Sequence, residues 1–120
     1  MKKLTHKEEE ILSYFWNKGP LFIRELLEIQ DEPRPHYNTL STVVRTLEEK
    51  GYVSYKTFGN THQYYALIKE DEYHRTSLNK LVNKHFGDSY KRVISSFIEE
   101  EKITVEELQE LIEQIRNNKK

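Results

Sequence analysis

Cysteine is absent from all 120 residues. Its absence excludes disulfides and thiolate metal sites together and fits a reducing, cytoplasmic setting. No run approaches the roughly 18 apolar residues that a membrane-spanning helix requires, so membrane insertion is not expected. The opening stretch Met1-Lys2-Lys3-Leu4-Thr5-His6-Lys7 is charged where a secretory leader would be apolar, so a signal peptide is not expected either. No repeat or low-complexity tract breaks the pattern, and the length fits one ordinary domain or a small domain with an appendage.

Also missing is an excess of positive charge. Nineteen Lys and Arg face twenty Asp and Glu, for a formal net charge of −1, a caution against a nucleic-acid partner. The charge is unevenly spread, however. Residues 1–69 carry ten basic against nine acidic side chains, and residues 70–120 carry nine against eleven. Within 33–66 the bases are Arg34, Arg45, Lys50 and Lys56, and the acids are Glu48 and Glu49 alone. That asymmetry has the sign a DNA-binding first half needs.

What is present is helical punctuation. Thr5-x-x-Glu8 is a capping box, Ile11, Leu12, Phe15 and Trp16 form one apolar face, and Gly19-Pro20 ends the first helix. Trp16 reads as a core anchor. A second, shorter helix is predicted around Ile23–Gln30, and the prolines in Asp31-Glu32-Pro33-Arg34-Pro35 make that stretch a turn. A third helix covers about His36–Lys50 and stops at Gly51. Two Tyr- and Thr-rich runs, Tyr52–Phe58 and Thr61–Leu67, meet at Gly59-Asn60 as a tight hairpin. From Glu70 the texture changes to three amphipathic helices and a frayed-looking Asn117-Asn118-Lys119-Lys120 tail.

Helix, helix, turn, helix, hairpin is the order of a winged helix-turn-helix. The expected fold is mainly α with a small β-hairpin: a winged helix-turn-helix DNA-binding domain over 1–69 and a three-helix dimerisation region over 70–120. On the third helix Leu40, Val43, Val44 and Leu47 fall on one arc. Opposite lie Asn38, Thr42 and Arg45, flanked by Thr39, Ser41 and Thr46, with no acid before Glu48, and Tyr37 is a further candidate DNA contact. Short hydrogen-bonding side chains with one guanidinium suit close approach to base edges, where Arg can read guanine and Asn adenine. Lys56 and Asn60 in the hairpin are candidate phosphate contacts, and the hairpin tyrosines read as packing. A polar helix in a protein-interaction module is the alternative.

The last three helices carry Leu78, Leu81, Val82 and Phe86, then Val93, Ile94 and Phe97, then Leu108, Leu111, Ile112 and Ile115. So short a segment buries these stripes poorly alone. Association of two copies would cover them and would match a two-fold-symmetric operator. Folding back onto the hairpin within one chain is the other solution.

These stretches together carry a resemblance. Leu4-Thr5-x-x-Glu8-Glu9-Glu10-Ile11-Leu12 with Phe15-Trp16, Tyr37-Asn38-Thr39-Leu40, Leu47-Glu48-Glu49-Lys50-Gly51-Tyr52-Val53, Tyr64-Tyr65, Phe97-Ile98 and Leu108-x-x-Leu111 stand in order along nearly the whole chain. In them the chain resembles the penicillinase repressor and methicillin-resistance regulator (BlaI/MecI) family. The resemblance implies a homodimeric repressor on double-stranded operator DNA, acting in antibiotic-resistance regulation. It also implies a membrane-embedded sensor protease as partner, cutting between Asn and Phe in the fifth helix. Here that pair reads Ser96-Phe97, a departure that favours packing for Phe97. Copper-responsive relatives carry a cysteine motif that this chain lacks.

Nothing in the sequence assembles an enzyme or calls for a cofactor. His6, His36, His62, His74 and His85 are scattered and read as surface residues, leaving no metal site. Glu8-Glu9-Glu10 sits favourably at a helix start, whereas Glu99-Glu100-Glu101 closes a helix, where negative charge is mildly unfavourable.

Overall fold

The computed structural model describes residues 2–87 and 89–118; Lys119 and Lys120 of the expected frayed tail lie outside the described residues. The elements run α1 (His6–Lys18), β1 (Leu21–Phe22), α2 (Ile23–Glu28), α3 (Tyr37–Glu49), β2 (Val53–Phe58), β3 (Thr61–Ala66), α4 (Glu70–His85), α5 (Tyr90–Glu99) and α6 (Val105–Asn118). The fold is mainly helical with a small antiparallel sheet, as a winged helix followed by further helices requires. By its contacts the chain divides into two compact units, Met1–His74 and Arg75–Lys120.

Local chemistry fixes the first unit. The Thr5 hydroxyl accepts the Glu8 amide at 3.2 Å while the Glu8 carboxylate accepts the Thr5 amide at 2.7 Å, closing the capping box of α1. At the far end of α3, the Tyr52 amide donates to the Leu47 carbonyl at 2.9 Å and the Gly51 amide to Glu48 at 3.0 Å. This is a Schellman ending, and it needs the positive φ of +86° that Gly51 supplies. Ile11, Leu12, Phe15, Ile23, Leu26, Leu40, Val44, Leu47, Val53 and Tyr64 then share one buried core.

The sheet has three strands in the order β1-β3-β2, where the sequence suggested only two. Leu21 and Phe22 pair with Tyr64 and Gln63. Two residues carry no periodicity, so this strand is set by the neighbouring edge and left no signal of its own. The second helix is also shorter than expected, ending at Glu28, and the buried Gln30 side chain donates through Nε2 to the Leu26 carbonyl at 3.0 Å. Trp16 is only partly buried. Its ring lies 5.5 Å from Tyr73 and its Nε1 donates to the Ile68 carbonyl at 2.9 Å, so it latches the segment leading into α4. Tyr73 itself is buried with the first unit's core, which is why the division between units falls after His74 and not at the change of sequence texture at Glu70.

One ion pair crosses this core. Lys50 Nζ lies 2.7 Å from Glu8 Oε1 and donates to the Lys3 carbonyl at 3.0 Å, and Glu8 is only 6% exposed. The pair ties the start of α1 to the end of α3. Burial by itself raises the Glu8 carboxyl. The hydrogen bond from Lys50, the Thr5 amide and the Lys50 charge outweigh that and hold it below its ordinary value of 4.5.

In the second unit the Thr104 and Glu107 capping box forms at 3.1 Å in both directions, and the Ser89 hydroxyl accepts the Arg92 amide at 3.2 Å to start α5. The Tyr90 hydroxyl donates to Asn79 Oδ1. Glu101 takes the left-handed position, φ 59°, that closes α5. A non-glycine residue there costs about 1–2 kcal/mol.

Breaking a fully buried ion pair costs about 3–5 kcal/mol; with the Lys50 side chain still 22% exposed, we expect Lys50→Met to cost about 2–3 kcal/mol in urea unfolding at neutral pH. Adding Glu8→Gln is expected to cost less than the sum of the single changes. A depressed folded carboxyl contributes stability that is complete above pH 4.5 and lost as pH falls through the lowered value. The wild type is therefore expected to lose stability more steeply than Lys50→Met across that acidic window.

Candidate nucleic-acid interface

The outward face of α3 is built from the wheel opposite Leu40, Val44 and Leu47. Tyr37, Asn38, Thr39, Thr42 and Arg45 are exposed and Ser41 is half-buried. Two hydroxyls are pinned to their own helix: Thr42 Oγ1 donates to the Asn38 carbonyl at 2.9 Å and Thr46 Oγ1 to the Thr42 carbonyl at 3.0 Å. Such back-bonding holds each side chain short against the backbone and turns its free lone pairs outward. Arg45 donates to Ser41 Oγ at 3.3 Å.

Charge pairing sorts the bases of this region. Arg34 lies 3.5 Å from Glu32, and Lys50 is spent on Glu8. Among the described residues, Arg24, Arg45 and Lys56 carry no carboxylate within ion-pair distance. The positive surface between 33 and 66 is therefore smaller than the count of four bases suggested, and Arg24 adds to it from outside that window.

The hairpin stands beside α3. Tyr55 pairs with Tyr64 and Thr57 with His62, so these four side chains share one face. Gly59 supplies the single positive φ, +61°, of the two-residue connection, the pattern of a II′ turn, and Thr61 Oγ1 donates to the Phe58 carbonyl at 2.9 Å. Between this face, α2 and α3 opens a concavity of about 720 Å³. Arg24 and Glu25 line it from α2, Tyr37, Ser41, Arg45 and Glu48 from α3, and Tyr55, Asn60, His62 and Tyr64 from the hairpin. Burial raises the Tyr64 phenol; Glu48 and Tyr55 push it further up while Arg45 opposes them. Tyr64 thus stays a neutral floor to the concavity.

The structure brings Tyr37, Ser41, Arg45 and Asn60 to this concavity and leaves Asn38, Thr39 and Thr42 exposed on α3 beside it. Lys56 is exposed but pairs with Gln63, so the register puts it on the opposite face of the hairpin. Arg24 and His62 line the concavity and were not singled out from the sequence. His62 had a signal, since it stands two residues before Tyr64 and a strand's period of two puts both on one face. Among the described residues no cluster of potential metal ligands forms, and no helix is long and apolar enough to cross a membrane.

In the second unit Val82 and Val93 are buried and Phe86 and Leu108 are partly buried. Leu78, Leu81, Ile94, Phe97, Leu111, Ile112 and Ile115 are 41–51% exposed. Ser96 is half-buried within α5, and its carbonyl accepts the Glu100 amide at 3.0 Å.

The penicillinase repressor family model matches residues 4–117. The chain belongs to this family. It is 25% identical over 110 residues to the methicillin resistance regulatory protein MecI of Staphylococcus aureus, covering 91% of this chain and 89% of the relative. The same regulator from Mammaliicoccus sciuri is also 25% identical over 110 residues. The penicillinase repressor of Bacillus licheniformis is 23% identical over 127 residues, covering 100% of this chain and 99% of the relative. The family places the chain among transcriptional repressors. Its match runs through α4, α5 and α6 as well as the winged helix, so the penicillinase-repressor likeness includes the helices that carry the exposed apolar residues.

Proposed function

We propose that this protein represses transcription, of resistance-type genes by analogy with its relatives, by binding a palindromic DNA operator as a homodimer. The observation that carries this reading is the outward face of α3. It presents short hydroxyls, those of Thr42 and Thr46 back-bonded to the helix, with Asn38 and an Arg45 that has no carboxylate partner among the described residues. In a major groove such a face approaches closely, with Arg45 placed to read guanine and Asn38 adenine. Thr39, Ser41 and Thr42 lie beside them, and Tyr37 and Asn60 flank the concavity for backbone contact. Lys56, on the far face of the hairpin, has a lesser part.

The second copy is supported by the exposed apolar residues of α4, α5 and α6, Leu78, Leu81, Ile94, Phe97, Leu111, Ile112 and Ile115 among them, with Val82, Phe86, Val93 and Leu108 more deeply buried in the same helices. A chain of net charge −1 lacks a bulk positive field, so two reading helices on one operator supply the affinity that one would not. Phe97, 47% exposed, belongs to this association surface. The Ser96-Phe97 bond lies inside α5, and a sensor protease would have to unwind that helix to cut it.

Fluorescence anisotropy on a labelled duplex of the DNA upstream of this protein's own coding sequence tests the reading. Affinity is expected to fall as salt rises, because phosphate contacts release counterions. Absent or salt-independent binding to every promoter tried would replace it with a protein-interaction module, the alternative that the net charge of −1 favours. Arg45→Ala is expected to cost roughly 1–3 kcal/mol and to relax base preference at one position; an equal loss on every sequence would assign Arg45 to phosphate. Light scattering at micromolar concentration is expected to return twice the 14.5 kDa chain mass, and a monomer mass would remove the dimer.

A further inference from the structure

The charges around the concavity cancel. Arg24 and Arg45 contribute two positive charges, and Glu25 and Glu48 contribute two negative ones. Glu25 is engaged, accepting the Phe22 amide at 2.9 Å. The other titratable groups lining this space are the phenols of Tyr37, Tyr55 and Tyr64, the last pushed up by burial. His62 is the one imidazole in the lining, the side-chain type that serves as a proton switch near neutral pH.

The imidazole lies 4.1 Å, centroid to centroid, from the Tyr55 ring, and an aromatic face favours a cation. Nδ1 lies 3.3 Å from Thr57 Oγ1, a hydroxyl that can accept from it, and Nε2 has no hydrogen-bond partner among the described residues. His62 is exposed and sits on the hairpin face turned toward α3.

We infer that His62 is a phosphate ligand of the bound DNA backbone, recruited as its imidazolium, so that DNA binding takes up a proton at the hairpin. This rests on the DNA-binding reading above. The balance needs no other reactant: one solvent proton adds to the imidazole, Nδ1–H then donates to Thr57, and Nε2–H donates to a phosphate oxygen. The concavity passes from neutral to a net charge of +1 as the polyanion arrives.

The test measures anisotropy of two fluorescein-labelled duplexes, the protein's own upstream DNA and a scrambled sequence, at constant ionic strength between about pH 6 and about pH 8, the range over which imidazole titrates. The wild type is expected to bind both duplexes more tightly at the acidic end, by about five- to tenfold per subunit and so about 25- to 100-fold for the dimer, since each unit by which the DNA raises one imidazole's pKa is worth up to tenfold. His62→Gln, with its fold checked by circular dichroism, is expected to lose this pH response. His36→Gln, altering the exposed N-cap of α3, is expected to keep the response. A wild-type pH response retained in His62→Gln, or confined to the upstream duplex, overturns the inference while leaving DNA binding intact. Failure of every duplex to bind at either pH overturns the DNA reading and this inference with it.

Discussion

The winged-helix unit depends on a single buried ion pair. Lys50 closes α3 and reaches back to Glu8 and Lys3 at the start of α1, so α3 is tied to α1 by its C-terminal end. Glu8 serves twice, as the carboxylate of the capping box and as the partner of Lys50. The Tyr52 hydroxyl adds a bond to the Lys2 carbonyl from the next residue but one. Between these contacts and the Gly51 turn, the direction in which α3 leaves the core is set by polar groups, while Leu40, Val44 and Leu47 set which face turns inward.

This arrangement divides labour among the charged residues. Bases that look alike in the sequence have different fates: Lys50 is structural, Arg34 folds onto Glu32, and Arg45 and Arg24 stay available around the concavity. Local availability therefore says more about this surface than net charge does. The hydroxyl row along α3 follows the same logic, because back-bonded threonines are ordered before any ligand arrives and lose little rotamer freedom on binding.

Much of this was legible from residue order. The capping boxes at Thr5 and Thr104, the stop at Gly51 and the hairpin turn at Gly59-Asn60 each have a local cause, and each is realised. The face of α3 was legible because helical period and composition agree there. What escaped was long-range. The strand Leu21–Phe22 exists because β3 offers it an edge, and the Lys50–Glu8 pair joins residues 42 positions apart. Lys56 was assigned by charge alone, whereas its side of the hairpin depends on register. Arg24 and His62 come together only through the packing of α2 against the sheet.

Trp16 is the sole tryptophan. Its indole packs against Tyr73 and His74 and is bonded to the Ile68 carbonyl. Intrinsic fluorescence excited at the indole band therefore watches one spot, the strap between the hairpin and α4. Unfolding of the winged helix will be bright in that signal. The helices beyond Arg75 carry no such chromophore and will melt unseen unless followed by their backbone ellipticity. Two optical channels thus separate two parts of the chain without any label.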